Sequence, residues 1–124
     1  MAKVLGLGGF FFKAEDPKAV RDWYARVLGF EVHDWGGAVF EQPKGGQATW
    51  SPFAADTDYF APSSAPFMIN FIVDDIDGVL ARAAAEGVEP VGRQDEGYGR
   101  FAWLIDPAGV KIELWEPVKG EAEA

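Results

Sequence analysis

Apolar residues recur at every third or fourth position in two stretches of the chain, a spacing typical of one face of an amphipathic helix. The first stretch follows Asp16 and Pro17. This is a favourable helix start, because Asp accepts hydrogen bonds from free backbone amides and Pro is tolerated in the first turn. Gly29 follows the stretch and predicts a left-handed cap. We therefore predict a helix at 16–28, with an apolar face formed by Val20, Trp23, Tyr24, Val27 and Leu28.

The second stretch has the same spacing and the same kind of ends. Asp74 and Asp75 precede it, and Gly87 follows it. Asp is a good N-cap and Gly a good C-terminal stop, so the residues between them favour a second helix. We predict this helix at 75–86, with an apolar face formed by Ile76, Val79, Leu80, Ala83 and Ala84.

Runs rich in aromatic and β-branched residues flank both predicted helices and predict strands. One run precedes each helix and three follow it. In the first half the runs are 5–13, 30–34, 38–42 and 47–53, with turns at Gly36-Gly37 and at 44–46; in the second half they are 67–73, 88–93, 99–106 and 110–115, with a turn at 106–109.

The order βαβββ therefore occurs twice, in units at about 4–53 and 67–117, joined by a linker at 54–66 and followed by a tail at 118–124 that we expect to be frayed. A unit of this size with one helix leaves one face of its sheet bare. Two units must then share their sheets to complete a core or enclose a cavity. We predict a single α+β domain of two βαβββ repeats, with the helices on the convex sheet faces.

Composition narrows the class of protein. Hydrophobic residues make up 48% of the chain, and no apolar run approaches the roughly 20 residues of a membrane span, so we expect a soluble globular domain. The stretch 1–12 has a Lys and apolar residues but no small-residue cleavage site, and we interpret it as part of the first strand rather than a signal peptide. The chain has no Cys, which excludes thiolate chemistry and favours the cytoplasm as its location.

The charge is strongly acidic, with 20 Asp and Glu against 11 Lys and Arg, a net charge of −9. Such a surface repels a phosphate backbone and an anionic membrane, so we expect neither nucleic acid nor membrane as a partner. Two interpretations of the acidity stay open. It steers cationic ligands toward the protein, or it only keeps the domain soluble.

Three segments resemble the vicinal oxygen chelate superfamily, which includes glyoxalase I, extradiol dioxygenases and bleomycin-resistance proteins. Residues 16–30 resemble its first-helix signature, an acidic residue, then the aromatic pair Trp23-Tyr24, then Leu28-Gly29-Phe30. Residues 73–77 resemble the start of its second helix, and residues 106–114 resemble its closing hairpin. The resemblance covers nearly the whole chain and implies that each βαβββ unit forms half of an open barrel, with homodimers common.

The resemblance also implies a divalent metal inside the barrel, held by one residue from the first and one from the last strand of each unit. The matching positions here are Gly9, Met68, Glu113 and either Thr49 or Trp50. Gly9 has no side-chain donor, and the thioether of Met68 suits hard divalent ions poorly. Glu113 alone remains as a ligand of the usual kind. We therefore predict no metal site and no cofactor. His33 lies away from these positions, and we expect it to be an ordinary surface residue.

Strand alternation then sorts the side chains around Glu113. Lys111 and Trp115 share its face, whereas Val110, Ile112 and Leu114 point at the helix. Glu113 contacts a ligand and is the candidate catalytic residue, or it pairs with a Lys such as Lys13 or Lys111. The other cavity-lining residues are expected to be Gly9, Phe11, Lys13, Trp50 or Thr49, Met68, Asn70 and Ile72, a mixture that suits a planar or amphipathic small molecule.

Two further segments are candidates for covering such a cavity. Residues 96–103, with Tyr98, Arg100 and Trp103, form either a mobile rim that contacts a ligand or a tight hairpin. The linker at 54–66 either covers the cavity mouth or, given its two Pro residues, acts as a spacer.

These observations favour a small-molecule binding protein of the glyoxalase and bleomycin-resistance type that lacks the usual metal site. The alternative is a glyoxalase-like lyase, isomerase or dioxygenase that uses Glu113 with or without a divalent metal. A structural or regulatory partner domain is a third class, for which the sequence has no specific feature. Exposed sheet edges favour a homodimer.

Overall fold

The computed structural model describes residues 2–3, 7, 9–42 and 47–118. Part of the predicted first strand, the predicted turn at 44–46 and the tail from 119 onward lie outside the described residues. Within the described ranges, no helix is long and apolar enough to span a bilayer.

The first helix, α1, spans Pro17–Leu28, in agreement with the prediction. The Asp16 side chain caps its start by accepting a hydrogen bond from the backbone amide of Ala19 at 3.1 Å. Gly29 ends the helix in the left-handed region, at φ 74°, and its amide donates to the carbonyl of Ala25. The predicted N-cap and C-terminal glycine are therefore both confirmed.

The second helix, α2, spans Ile76–Ala85 and is also confirmed. Asp75 caps it by accepting from the amide of Gly78 at 3.1 Å. A second carboxylate, from the last strand of the chain, also caps the start of α2, since Glu116 Oε1 accepts from the amide of Ile76 at 2.7 Å. The start of α2 is thereby tied to the sheet.

The described residues form one sheet of four strands, all from the second half of the chain. The strand order is β1-β4-β3-β2, with β1 parallel to β4 and the other neighbours antiparallel. Together with the two helices, this makes the described part of the protein an α+β structure in which the second predicted βαβββ unit is complete. The strands are β1 Ile69–Ile72, β2 Gly92–Glu96, β3 Gly99–Ile105 and β4 Lys111–Pro117.

The predicted strand at 88–93 is displaced toward the C-terminus. Pro90 has no amide hydrogen and cannot donate to a neighbouring strand. Hydrogen bonding to β3 begins only at Val91, whose amide donates to the carbonyl of Trp103 at 2.8 Å. The strand then continues to Glu96, and a two-residue turn at Gly97 and Tyr98 leads into β3.

The four strands predicted in the first half are not formed in the described residues of those runs. The turn at Gly36-Gly37 is present, since the amide of His33 donates to Gly37 at 2.8 Å. The flanking chain makes no ladder, and Val39 and Phe40 are exposed. A strand depends on packing against its cross-strand neighbours, and the described residues of these runs have no strand beside them. The two-repeat arrangement therefore stays a prediction.

The hydrophobic core lies between the helices and one face of the sheet. Leu104, Ile112 and Leu114 are fully buried there, beside Val27 and Ile76 of the helices. This confirms that Ile112 and Leu114 point at the helices, as strand alternation predicted. The opposite face of the sheet, which carries Glu113, is turned away from the helices.

A buried hydrogen bond ties α1 to the turn between β3 and β4. Tyr24 Oη donates to Asp106 Oδ2 at 2.5 Å, and Asp106 Oδ1 accepts from the amides of Ala108 and Val110, both at 2.9 Å. Burial and this hydrogen bond raise the pKa of the Tyr24 phenol well above its usual range. The predicted turn at 106–109 is thus held by the side chain that begins it.

Candidate functional site

Glu113 is a buried carboxylate on the sheet face opposite the helices, with 8% of its surface exposed. It accepts three hydrogen bonds, from Asn70 Nδ2 at 2.7 Å, from Trp103 Nε1 at 2.8 Å and from the hydroxyl of Tyr59. All three donors are neutral. Burying a carboxylate is costly unless hydrogen bonds replace its lost hydration, and these donors provide that replacement.

Sheet register brings two of the donors to Glu113. Asn70 is its partner across the β1–β4 pair, and Trp103 is its partner across the β3–β4 pair. Directly opposed residues lie on the same face of a sheet. Asn70 therefore reaches the carboxylate from one side and Trp103 from the other. Asn70 and Trp103 were among the predicted site residues, and the structure brings both to Glu113.

The third donor, Tyr59, comes from the linker. Its backbone amide donates to Thr57 Oγ1 at 3.2 Å, and Lys111 Nζ donates to its carbonyl at 2.7 Å. The Lys111 ammonium also lies 5.2 Å from the centroid of the Tyr59 ring. Burial and the bond to Glu113 raise the pKa of Tyr59 to about 12, so its hydroxyl is protonated at neutral pH and acts as a donor.

The linker is therefore more than a spacer at this position, because Tyr59 covers the carboxylate. Tyr59 lies in the linker at 54–66, which was predicted either to cover the cavity mouth or to act as a spacer, and it was not among the predicted site residues. The available signal was a bulky aromatic residue in a linker rich in Ala, Ser, Asp and Pro.

Three aromatic rings form a row on the same sheet face. Phe101 lies parallel to Trp103, with ring centroids 6.5 Å apart and planes 14° apart. It is also parallel to its cross-strand partner Trp115, at 6.3 Å and 5°. The indole Nε1 of Trp115 is buried and has no acceptor among the described residues. A side chain at Gly99 would come within 2.5 Å of that nitrogen, so only glycine leaves room for this ring.

A cavity of about 250 Å³ lies beside this row. Tyr98 reaches it from the turn between β2 and β3, and its ring packs edge-on against Phe101 at 5.8 Å. The segment at 96–103 is therefore a tight hairpin that also contributes to the cavity wall. The lining residues are Tyr59, Gln94, Glu96, Tyr98, Phe101 and Trp103.

Other predicted site residues lie elsewhere. Arg100 was predicted to contact a ligand, but it points to the helix side of the sheet, where it donates to Asp77 at 3.0 Å, and it is not part of the candidate site. Phe11 and Trp50 are 91% and 79% exposed, and no contact in the described residues joins them to Glu113. Met68 is half-buried and lies just before β1.

Of the two alternatives for Glu113, a ligand contact or an ion pair with a lysine, the ion pair is not formed in the described residues. Lys111 is directed at Tyr59, and Lys13 borders a separate depression of about 380 Å³ beside the start of α1. No cationic side chain of the described chain lies within salt-bridge distance of Glu113. His33 is exposed and stacks against Trp35, 6.2 Å away.

The residues around Glu113 do not fit a divalent metal. In the part of the chain that the structure describes, no three His, Cys, Asp or Glu side chains are close enough to hold an ion. Both carboxylate oxygens already accept from N–H or O–H groups, which are directed at them. Asn70 presents its amide nitrogen, which is not a metal ligand. A divalent metal site needs about three or four protein ligands, and here only the Glu113 carboxylate could serve as one.

Comparison with known proteins identifies the fold. The sequence model of the glyoxalase-like domain matches residues 9–115. TnmS3, an antibiotic binding protein from Streptomyces sp. CB03234, is 28% identical over 84% of this chain and 88% of its own, with a TM-score of 0.52. A protein from the mobile metagenome of V. Pseudocholerae is 17% identical over 94% of this chain and 97% of its own, with a TM-score of 0.61. Lactoylglutathione lyase from Agrobacterium tumefaciens is 20% identical over 83% and 87%, at 0.51.

No curated protein sequence matches the chain significantly. The family match nevertheless extends from the segment before α1 to Trp115 in β4, and structures with the same fold match most of the chain. The chain belongs to the glyoxalase-like domain family of the vicinal oxygen chelate superfamily.

Proposed function

We propose that this protein binds a planar, amphipathic small molecule on the Glu113 face of its sheet, without a divalent metal. The observation that carries the proposal is the buried Glu113 carboxylate, satisfied by neutral donors, beside the aromatic row of Phe101, Trp103 and Trp115. Aromatic walls bind a flat molecule by stacking, and one polar anchor fixes its orientation.

The likeness to TnmS3 supports a binding role. TnmS3 is an antibiotic binding protein, and it is 28% identical to this chain over 84% of the length of this chain. The net charge of −9 favours ligands that are neutral or cationic, because an anionic ligand would be repelled.

Binding is tested with planar aromatic compounds, neutral and cationic, by isothermal calorimetry and thermal shift. Trp103→Ala should weaken binding because it removes both a ring and a donor to Glu113, whereas Trp35→Ala, an exposed ring outside the aromatic row, should not. Glu113→Gln should cost about 1 to 3 kcal/mol of binding energy for a ligand that donates to the carboxylate. Planar compounds that bind equally to all of these variants would exclude this face as the site.

The absence of a metal cofactor is tested by elemental analysis of the purified protein. We expect no stoichiometric divalent ion and no change in ligand affinity after treatment with a chelator. The alternative, a lyase, isomerase or dioxygenase that uses Glu113 with a metal, predicts one tightly held ion per chain that Glu113→Ala removes. That result would replace the binding proposal with the enzymatic one.

We also propose that the protein acts in the cytoplasm as a homodimer, with neither nucleic acid nor membrane as a partner. The acidic charge and the lack of Cys support the environment. Exposed apolar side chains in the first half, including Leu7 and Val39, support a partner surface there.

A further inference from the structure

Tyr59 occupies the Glu113 site in the way that a bound ligand would. Its hydroxyl donates to the carboxylate, and its ring packs edge-on against Trp103, with centroids 6.3 Å apart at 89°. Phe53 stacks on the ring at 5.7 Å and 16°, and the Lys111 ammonium lies 5.2 Å from its centroid. One phenol thus has a hydrogen-bond acceptor, aromatic walls and a cation around it.

The segment that carries Tyr59, residues 54–60, lies on the surface, and the contacts that join it to the sheet are those of Tyr59 itself. The Tyr59 side chain is 38% exposed, and residues 54–56 and 58 are exposed as well. Apart from its side chain, Tyr59 is held by the Thr57 hydroxyl and by Lys111. A surface segment with few buried contacts opens at a low free-energy cost, so the phenol can leave while the sheet stays folded.

We propose that Tyr59 is an intramolecular placeholder, and that the ligand carries a hydroxyaryl group which replaces the Tyr59 phenol on Glu113. This inference rests on the proposed binding function and names the chemical class of the ligand.

The donors around Glu113 explain why a hydroxyaryl group fits. Asn70 and Trp103 are fixed by the sheet and leave acceptor capacity on the carboxylate, and a neutral hydroxyl now uses part of it. The Tyr59 phenol remains protonated there, since its pKa is raised to about 12. Lys111 above the ring favours an electron-rich aromatic system.

The size of the cavity supports displacement. At about 250 Å³ it is smaller than the roughly 300 to 1,000 Å³ typical of small-molecule sites. Tyr59 forms one of its walls. Withdrawal of this side chain joins the cavity to the space beside Glu113, which makes room for a fused ring system.

The test compares 2-naphthol with its methyl ether, 2-methoxynaphthalene, which has the same rings but cannot donate a hydrogen bond. We expect the wild type to bind 2-naphthol at least about tenfold more tightly than the ether, and Glu113→Gln, whose neutral amide oxygen is a weaker acceptor, to reduce this preference. Tyr59→Phe should bind 2-naphthol about fivefold more tightly than the wild type, because the competing intramolecular hydrogen bond is gone. Ser64→Ala, which removes an exposed linker hydroxyl, is the matched control.

A second measurement follows the linker itself. Amide hydrogen exchange at residues 54–60 should become faster when 2-naphthol binds the wild type, since the ligand expels the segment. A Tyr59→Gly variant should bind p-cresol, which is the tyrosine side chain as a free molecule, more tightly than toluene.

The opposite results overturn the inference. If Tyr59→Phe binds 2-naphthol more weakly than the wild type, or if binding slows exchange in the linker, Tyr59 is a ligand contact and not a placeholder. Equal binding of the two naphthalenes removes the hydroxyaryl requirement. If that equal binding is still weakened by Trp103→Ala, the proposed function stands and only the ligand class is wrong. Failure of Tyr59→Gly and of the wild type to bind any aromatic probe would refute both.

Discussion

At the residue scale, Glu113 stands out because a charged group is buried among neutral donors. Two of these donors, Asn70 and Trp103, are supplied by strands, so they are positioned before any ligand arrives. Preorganised donors cost little to align, and they make the carboxylate a fixed acceptor. Removal of one of them should leave part of a buried charge without a partner.

Trp103→Phe tests this point because it keeps a ring but removes the donor to Glu113. We expect a loss of stability of about 1 to 3 kcal/mol, the usual cost of an unsatisfied buried polar group. Urea unfolding followed by circular dichroism measures it. Trp35→Phe, at an exposed ring, should change the unfolding free energy by less than about 0.5 kcal/mol. An equally small change for Trp103→Phe would show that water replaces the indole.

The raised pKa of Tyr59 predicts that the free energy of unfolding decreases at high pH. Its folded-state pKa of about 12 lies above the usual value of about 10, so the protonated form is favoured by folding. The resulting stabilisation is complete below about pH 10 and is lost as the pH rises through about 12. We expect the stability difference between wild type and Tyr59→Phe to be constant from about pH 7 to 9 and to shrink above about pH 10. A difference that already shrinks at neutral pH would contradict this assignment.

At the element scale, both helices depend on side chains that lie outside them. Asp16 and Asp75 cap their starts, and Glu116 of β4 adds a second acceptor at the start of α2. The capping residues were identified from the sequence because capping is a local interaction. The contribution of Glu116 was not, since it depends on how β4 lies against α2.

Asp75→Ala should destabilise the protein by about 1 kcal/mol, the typical loss for an N-cap. Glu116 still accepts from the amide of Ile76, so the loss is expected to stay near that value. Asp74→Ala removes the neighbouring carboxylate, which does not cap the helix, and serves as the control. Chemical denaturation of both variants gives the comparison. Equal effects would show that local negative charge, and not the cap, stabilises α2.

The strand predictions held best in the second βαβββ unit, whose four strands pair with one another. In β4 the alternation correctly sorted Ile112 and Leu114 from Glu113, and Asn70 and Trp103 follow from the register. The predicted strand at 88–93 was displaced because Pro90 has no amide hydrogen to donate to the neighbouring strand. Tyr59 was missed as a donor because loop conformation is determined by long-range contacts, here with Lys111 and Glu113, which no local pattern encodes.

At the scale of the whole molecule, the two ends of the sheet differ. The edge strand β2 carries Arg93, Asp95 and Glu96, and charges of this kind discourage pairing with another chain. The other edge, β1, is Ile69–Ile72 with no charged residue, and such an edge is prone to pair. Exposed apolar side chains of the first half add to the surface that a partner would cover.

We therefore expect a dimer in solution, measured by light scattering after size-exclusion chromatography as twice the chain mass. Leu7→Lys together with Val39→Lys, at side chains that are 60% and 68% exposed, should shift the protein toward monomer. Val91→Lys, at an exposed position just before β2, should leave the mass unchanged. A monomeric wild type at micromolar concentration would contradict the proposed homodimer.

Alternation along β4 has a consequence for how such a protein diversifies. Ile112 and Leu114 serve the core, while Glu113 and Trp115, interleaved with them, serve the opposite face. Under the proposed function, substitutions at Glu113 or Trp115 alter ligand recognition, while Ile112 and Leu114 keep their packing in the core. A gene encoding this fold can therefore acquire new specificity through few mutations, each confined to one side of one strand, which is how a common scaffold comes to carry unrelated activities.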